Sequence, residues 1–223
     1  MSPTAPHAVR RVQAVLLDLD DTLFDERGTA RRAFSQWQGA LGLDGTEPPA
    51  DAFTRWQATT VRHWQRYADG EIGFLDQRRE RLREFTGRPL PDSEADAMFE
   101  PYRLAYEANW SIVRDAAEFL QRCGHLPKVI VSNGPLPMQR RKLQAFGLDD
   151  HFIGFSTPDV CGHAKPRHEI FHHAMAQLRL PAAACLMIGD DWRCDIEPAA
   201  ALGMATFHVR PEAGNLLDAL ALL

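Results

Sequence analysis

The feature that most constrains this chain is the stretch Ala14-Val15-Leu16-Leu17-Asp18-Leu19-Asp20-Asp21-Thr22-Leu23-Phe24. Four apolar residues run straight into three carboxylates within four positions. A short continuous apolar run marks a strand buried on both faces, as in the middle of a parallel sheet. Open α/β sheets bind their ligands outside the carboxyl ends of such strands. Acids packed this closely repel one another and resist desolvation unless a cation compensates them. Mg²⁺ prefers hard oxygen ligands and supplies that charge. An acidic turn without chemistry is the bland alternative, because Asp is common in turns.

A chain of 223 residues suits one domain with an insertion, or two small domains. Its net charge of -5 gives no reason to expect nucleic acid or an anionic membrane as partner. No apolar run reaches the ~18 residues of a membrane span. Residues Met1 to Arg11 lack the apolar core of a signal peptide, and a fraying terminus is expected there. Cys123, Cys161, Cys185 and Cys194 show no CxxC spacing. They read as reduced thiols of a cytoplasmic protein rather than as a zinc site.

Val12 to Leu17 is the first predicted strand. From Thr29 to Asn109 the texture changes to helix formers with apolar residues three to four apart. Ala33, Trp37 and Leu41 mark one helix, ended by Gly42 and a loop from Gly45. Phe53, Trp56, Thr60 and Trp64 mark a second. Ile72, Leu75, Arg79, Leu82 and Phe85 mark a third, stopped by Gly87 and Pro89. Asp92 or Ser93 is expected to cap a fourth, with Met98 and Tyr102 on one face. Four helices make a small inserted bundle, with Trp37, Trp56 and Trp64 read as its core. Beyond it, strands are predicted at Lys128 to Val131, His151 to Phe155, Ala184 to Ile188 and Ala205 to Val209. Helices alternate with them at spacings that permit parallel crossovers. The fold class is therefore α/β: a doubly wound, Rossmann-like parallel sheet core of residues 1–28 and 110–223, with an all-α helical domain of residues 29–109 inserted.

Polar groups stand at three strand ends: Asp18 and Asp20, then Ser132 and Asn133, then Asp190 and Asp191. Lys165 lies between the last two, immediately before Pro166. Carboxylates from two strands suit one Mg²⁺, and a hydroxyl, an amide and an ammonium suit phosphate oxygens. His163, His168, His172 and His173 look like a metal cluster by composition alone. They are read instead as helix and loop residues.

These residues resemble the motifs of the haloacid dehalogenase (HAD) superfamily, in its phosphohydrolase branch. Asp18-Leu19-Asp20-Asp21-Thr22-Leu23 is similar to the first motif, and Val131-Ser132-Asn133-Gly134 to the second. Lys165-Pro166 is similar to the third, and Gly189-Asp190-Asp191 with Asp195 to the fourth. The resemblance implies that Asp18 attacks phosphorus and forms an aspartyl-phosphate. It implies that Asp20 protonates the leaving alkoxide and then deprotonates the water that cleaves the intermediate. Mg²⁺ would be held by the Asp18 side chain, the Asp20 backbone carbonyl and the Asp190 side chain. Ser132 and Lys165 would hold phosphoryl oxygens, with Asn133 helping through its amide or backbone and Thr22 either touching phosphate or shaping the turn. Asp191 and Asp195 would stand behind these groups and orient water or Lys165, although Asp195 reads equally as a charge at a helix N-terminus.

The helical insertion after the first motif, against about thirty residues between the second motif and Lys165, resembles the type with a helical C1 cap. Gly28 and Asn109 to Ser111 are then the expected hinges. Arg62, Trp64, Tyr67 and Arg78 are candidate readers of the leaving group. The implied partner is a small phosphorylated metabolite, a nucleotide monophosphate or a sugar phosphate, acted on by a monomer or homodimer. A phosphomutase of the β-phosphoglucomutase type uses the same core. A 2-haloacid dehalogenase generally lacks an acid two positions after the nucleophile, and a non-catalytic binding module would be expected to lack Asp18, Asp20 or Lys165.

Overall fold

The computed structural model describes residues 11–41, 49–210, 213 and 215–223. The expectations for the first ten residues and for the helix stop at Gly42 and Gly45 lie outside them. The chain divides into two compact units, Met1–Phe24 with Ile112–Leu223, and Asp25–Ser111.

In the first unit, β1 (Ala14–Leu17), β2 (Lys128–Val131), β3 (Gly154–Ser156), β4 (Cys185–Gly189) and β5 (Ala205–His208) form one sheet in the order β3-β2-β1-β4-β5. Every pairing is parallel. All four residues of β1 are completely buried, which is why the strand reads as an unbroken apolar run rather than an alternating one. Alternate residues still sort by face: Ala14, Leu16, Val129, Val131 and Met187 share one apolar cluster. Ile170, Phe171 and Ala174 of the helix His168–Leu178 complete that cluster, with Ala199 of the helix Glu197–Ala201. The order runs outward from β1 to β3 and restarts on the other side at β4. That reversal lies between β1 and β4, and open α/β sheets bind ligands beyond the strands' carboxyl ends at such a point.

The second unit carries α1 (Glu26–Trp37), α2 (Pro49–Ala68), α3 (Phe74–Thr86) and α4 (Asp92–Ala108). Phe34, Trp37, Phe53, Trp56, Phe85, Phe99 and Tyr102 form its aromatic core. Trp37 also donates from Nε1 to the carbonyl of Met98 at 3.0 Å. Trp64 stands outside this group, edge-on to Tyr67 and Phe74. Of the proposed leaving-group readers, Arg62 is ion-paired with Glu84, and Arg78 lies over the Phe74 ring at 4.5 Å. Asp92 does not cap α4. It is the first residue of the helix, and its carboxylate takes Arg79 at 2.9 Å and Arg83 at 2.5 Å.

The boundary of this unit falls earlier than residue 29, for a local reason. Asp25 caps α1 by accepting from the Gly28 N–H at 3.0 Å, and its other oxygen accepts from Ser111 Oγ at 3.0 Å and Arg32 at 3.1 Å. Residues 25–28 are therefore tied to the helices, and Gly28 lies inside α1 rather than at a hinge.

His63 supplies a pH test of this unit. Burial, followed by the neighbouring Arg66, lowers its pKa. As a neutral ring it donates from Nε2 to Glu84 at 2.8 Å and accepts at Nδ1 from Arg66 at 3.2 Å. A lowered folded value means that the unfolded chain takes up the proton first. The stability His63 contributes is thus complete above its unfolded pKa of about 6.5 and is lost as pH falls from there through the lowered folded value. In urea melts at pH 7.5 and 5, His63→Gln should lose less stability on acidification than wild type. Equal losses would contradict the neutral assignment.

Candidate active site

The turn that leaves β1 is tight. The N–H groups of Leu23 and Phe24 both donate to the Leu19 carbonyl at 2.9 Å, and Asp21 adopts a left-handed backbone with φ 57°. Asp is one of the few side chains that tolerate that region. The turn holds Asp18 at the strand end, where its N–H donates to the Ile188 carbonyl of β4 at 2.9 Å.

Asp18 is only 5% exposed. One oxygen accepts from Lys165 Nζ at 2.6 Å and the other from Thr22 Oγ1 at 3.1 Å. Lys165 Nζ also donates to Asp195 at 2.7 Å. Oxygens of Asp18, Asp190 and Asp195 all lie within 4.8 Å of one another. Gly189 permits this crowding, since a Cβ there would stand 2.3 Å from Asp195 Oδ2. Burial pushes the Asp18 and Asp195 carboxyls up, against the opposing pull of Lys165. Lys165 itself is held above its usual range, because the two carboxylates outweigh the downward effect of its burial. Three clustered acids against one ammonium leave an excess of negative charge on hard oxygens. That donor set fits Mg²⁺.

The other expected residues sort differently from their sequence reading. Thr22 is fully buried and its hydroxyl donates to Asp18, so it orients the carboxylate instead of meeting phosphate. Asn133 accepts from the Lys165 N–H at 2.7 Å and donates to the Lys165 carbonyl at 3.0 Å. Its amide fastens the loop carrying Lys165, using its oxygen and one of its two N–H donors. The Asp191 side chain caps the π-helical turn Trp192–Ile196 through the N–H groups of Arg193 and Cys194, at 2.8 and 2.9 Å. Asp195 serves both expected roles: one oxygen accepts from Lys165 at 2.7 Å, and the other accepts at 3.1 Å from the N–H of Asp191, the cap residue of that turn. The Asp190 backbone is fixed by His208, whose Nε2 donates to its carbonyl at 2.8 Å.

Two residues absent from the sequence reading stand on Asp20. Lys142 Nζ donates to Oδ1 at 2.5 Å, and Gln139 Nε2 donates to Oδ2 at 2.8 Å. The available signal was a glutamine and a lysine three apart, a spacing that puts both on one face of a helix; on α5 (Leu136–Gln144) both are buried. The histidines show no shared ligand geometry: His173 bonds Ser156 at 2.9 Å, and the rings of His168 and His172 meet in a T, 6.5 Å between centres. The four cysteines are free thiols, and burial pushes both Cys185 and Cys194 up to about 11.

A family model described as haloacid dehalogenase-like hydrolase matches residues 12–203. The chain is 30% identical over 208 residues to the ribulose-1,5-bisphosphate 5-phosphatase of Halopiger xanaduensis, covering 89% of this chain and 84% of that protein. It is 27% identical over 217 residues to the 5-amino-6-(5-phospho-D-ribitylamino)uracil phosphatase YigB of Escherichia coli, covering 93% and 87%. Among solved structures it is similar to the magnesium-bound HAD-hydrolase YfnB of Bacillus subtilis, with a TM-score of 0.68, 21% identity, and 88% and 86% of the two chains covered.

Proposed function

Because the chain belongs to the haloacid dehalogenase-like hydrolases, matched over residues 12–203, we propose that it is a Mg²⁺-dependent phosphomonoesterase working through an aspartyl-phosphate on Asp18. The observation that carries this reading is the contact of Asp18 with Lys165 at 2.6 Å inside the Asp18, Asp190 and Asp195 cluster. Asp18 needs no base, since a carboxylate is already a nucleophile when ionised. Lys165, held by Asp195 and Asn133, supplies a fixed positive charge for phosphoryl oxygens. Ser132 Oγ accepts from the Gly134 N–H at 3.1 Å and from Gln139 at 2.5 Å. A hydroxyl has two acceptor positions and one donor, so its O–H is the group left for the anion. Asp20, two positions after the nucleophile, gives its proton to the leaving oxygen and takes one from water in the second step. The Asp18 and Asp190 side chains with the Asp20 carbonyl are the residues to hold Mg²⁺, which when bound supplies charge that offsets repulsion between carboxylate and phosphate.

Both relatives named above are phosphatases whose names place the phosphate at position 5 of a five-carbon unit. That favours a terminal phosphate on a pentose or pentitol as the substrate class, ahead of a nucleotide monophosphate. The thiols, which form no disulfide among the described residues, support a cytoplasmic setting.

The test is phosphate release from pentose 5-phosphates, nucleotide monophosphates and an aryl phosphate, with and without Mg²⁺. Chloride release from a 2-haloacid serves as the contrasting arm. Asp20→Asn keeps the backbone carbonyl but not the proton shuttle, and kcat should fall by ~10²–10⁴. The fall should be smaller for the aryl ester, whose leaving group needs no proton. Equal losses on aryl and alkyl esters in a single-turnover measurement of intermediate formation would remove Asp20 from the leaving-group role.

A further inference from the structure

The contacts on Asp20 carry an inference that rests on this phosphatase reading. Lys142 is 1% exposed, a rare condition for a lysine. Its ammonium lies 4.3 Å from the centre of the Phe24 ring and 2.5 Å from Asp20 Oδ1. Gln139, one helical turn earlier, is fully buried. Its side-chain nitrogen carries two hydrogens, and it has two acceptors: Asp20 Oδ2 at 2.8 Å and Ser132 Oγ at 2.5 Å.

We infer that Gln139 and Lys142 are positioning residues, which lock the Asp20 carboxylate in one orientation and tie it to the hydroxyl of Ser132. Proton transfer needs the acid within hydrogen-bond reach of the leaving oxygen. Asp20 sits on a turn with its side chain 31% exposed, so its own burial does not hold its rotamer. One bond on each oxygen does. The Gln139 amide then sets the distance between the acid-base group and the phosphate-binding hydroxyl, two groups that must meet the same phosphoester from different sides. Gly134 belongs to this arrangement, because a Cβ there would stand 2.2 Å from Gln139 Nε2. The run Ser132-Asn133-Gly134 followed by Gln139 and Lys142 is thus one device, built on the end of β2 and the first turns of α5.

A positioning role makes a prediction that a purely structural one does not. If Lys142 acts through Asp20, its removal matters only while Asp20 is present. The experiment is a double-mutant cycle of wild type, Asp20→Asn, Lys142→Met and the double variant. For each, kcat and KM are measured with Mg²⁺ on an aryl phosphate and on an alkyl phosphomonoester, and circular dichroism checks folding. Lys142→Met should lower kcat by on the order of 10²-fold, the effect of a misplaced catalytic group. KM should change little, and the alkyl ester should suffer more than the aryl ester. The double variant should be no slower than Asp20→Asn alone, since coupled residues are not additive. Gln139→Met provides a second cycle with the same expectation and decides the matter if Lys142→Met does not fold. Losses that multiply in the double variants would overturn the inference while leaving the role of Asp20 intact. So would a folded Lys142→Met enzyme with wild-type kcat beside an impaired Asp20→Asn. If Asp20→Asn itself retained full activity, the acid-base role and this inference would fall together.

Discussion

Asp18→Asn protein should fold as the wild type does and turn over phosphomonoesters slower by on the order of 10⁴-fold or more, the scale seen when a covalent nucleophile is removed. The amide has the same shape and still accepts from Lys165, but it has no charge with which to attack phosphorus. The stability outcome separates this cause from a general loss of structure. Burial pushes the Asp18 carboxyl up, which means that the folded protein holds its charged form at a cost. The neutral amide also removes the repulsion that Asp195, Asp190 and Asp20 exert on the Asp18 charge. Lys165 keeps Asp195 as its partner at 2.7 Å. Thermal melts without metal should therefore show Asp18→Asn at or above the wild-type Tm. Activity within tenfold of wild type would defeat the aspartyl-phosphate mechanism, and a collapsed Tm would mean that Asp18 is chiefly structural.

Lys165→Met should do the opposite to stability and nearly as much to activity. The lysine is the cation on which both Asp18 and Asp195 depend, and all three are almost wholly buried. Removing one partner of a buried ion pair costs about 3–5 kcal/mol, because the charge left behind has lost both water and its counterion. Loss of a fixed donor to the phosphoryl oxygens should lower kcat by about 10²–10³. The pH dependence has a definite sign. A carboxyl whose folded pKa lies above its unfolded value binds its proton more tightly when folded, so stability falls as pH rises through that window. Both acids are already raised by burial in the wild type, and without Lys165 they rise further. The stability deficit of Lys165→Met should thus be largest near neutral pH and shrink as pH falls toward the unfolded carboxyl value near 3.9. Urea melts from pH 4 to pH 8 measure this directly. A deficit independent of pH would indicate lost packing of the lysine stem rather than stranded charge.

Much of this protein is legible in order along the chain, because it depends on local pattern. The apolar run Ala14 to Leu17 specifies a strand buried on both faces whatever follows it. The three-to-four spacing from Ala33 to Tyr102 specifies helices, and β/α alternation beyond Lys128 specifies a parallel sheet. Acids and hydroxyls placed at strand ends need only that the strands be parallel and adjacent for them to converge, and the observed order puts β1 between β2 and β4. What the sequence could not settle is which atom each group bonds. Thr22 and Asn133 carry side chains suited to phosphate, yet they bond Asp18 and the Lys165 backbone, because those partners lie nearer once the chain is folded. Asp191 caps a turn whose N–H groups converge on its carboxylate through the π-helical conformation of Trp192–Ile196. Gln139 and Lys142 are separated from Asp20 by 119 and 122 positions, and no period or motif links them. Periodicity reports which face of an element is buried, since burial acts on every residue of that face alike. A hydrogen bond between two distant side chains is a matter of a few tenths of an ångström, and only the packed tertiary structure decides it.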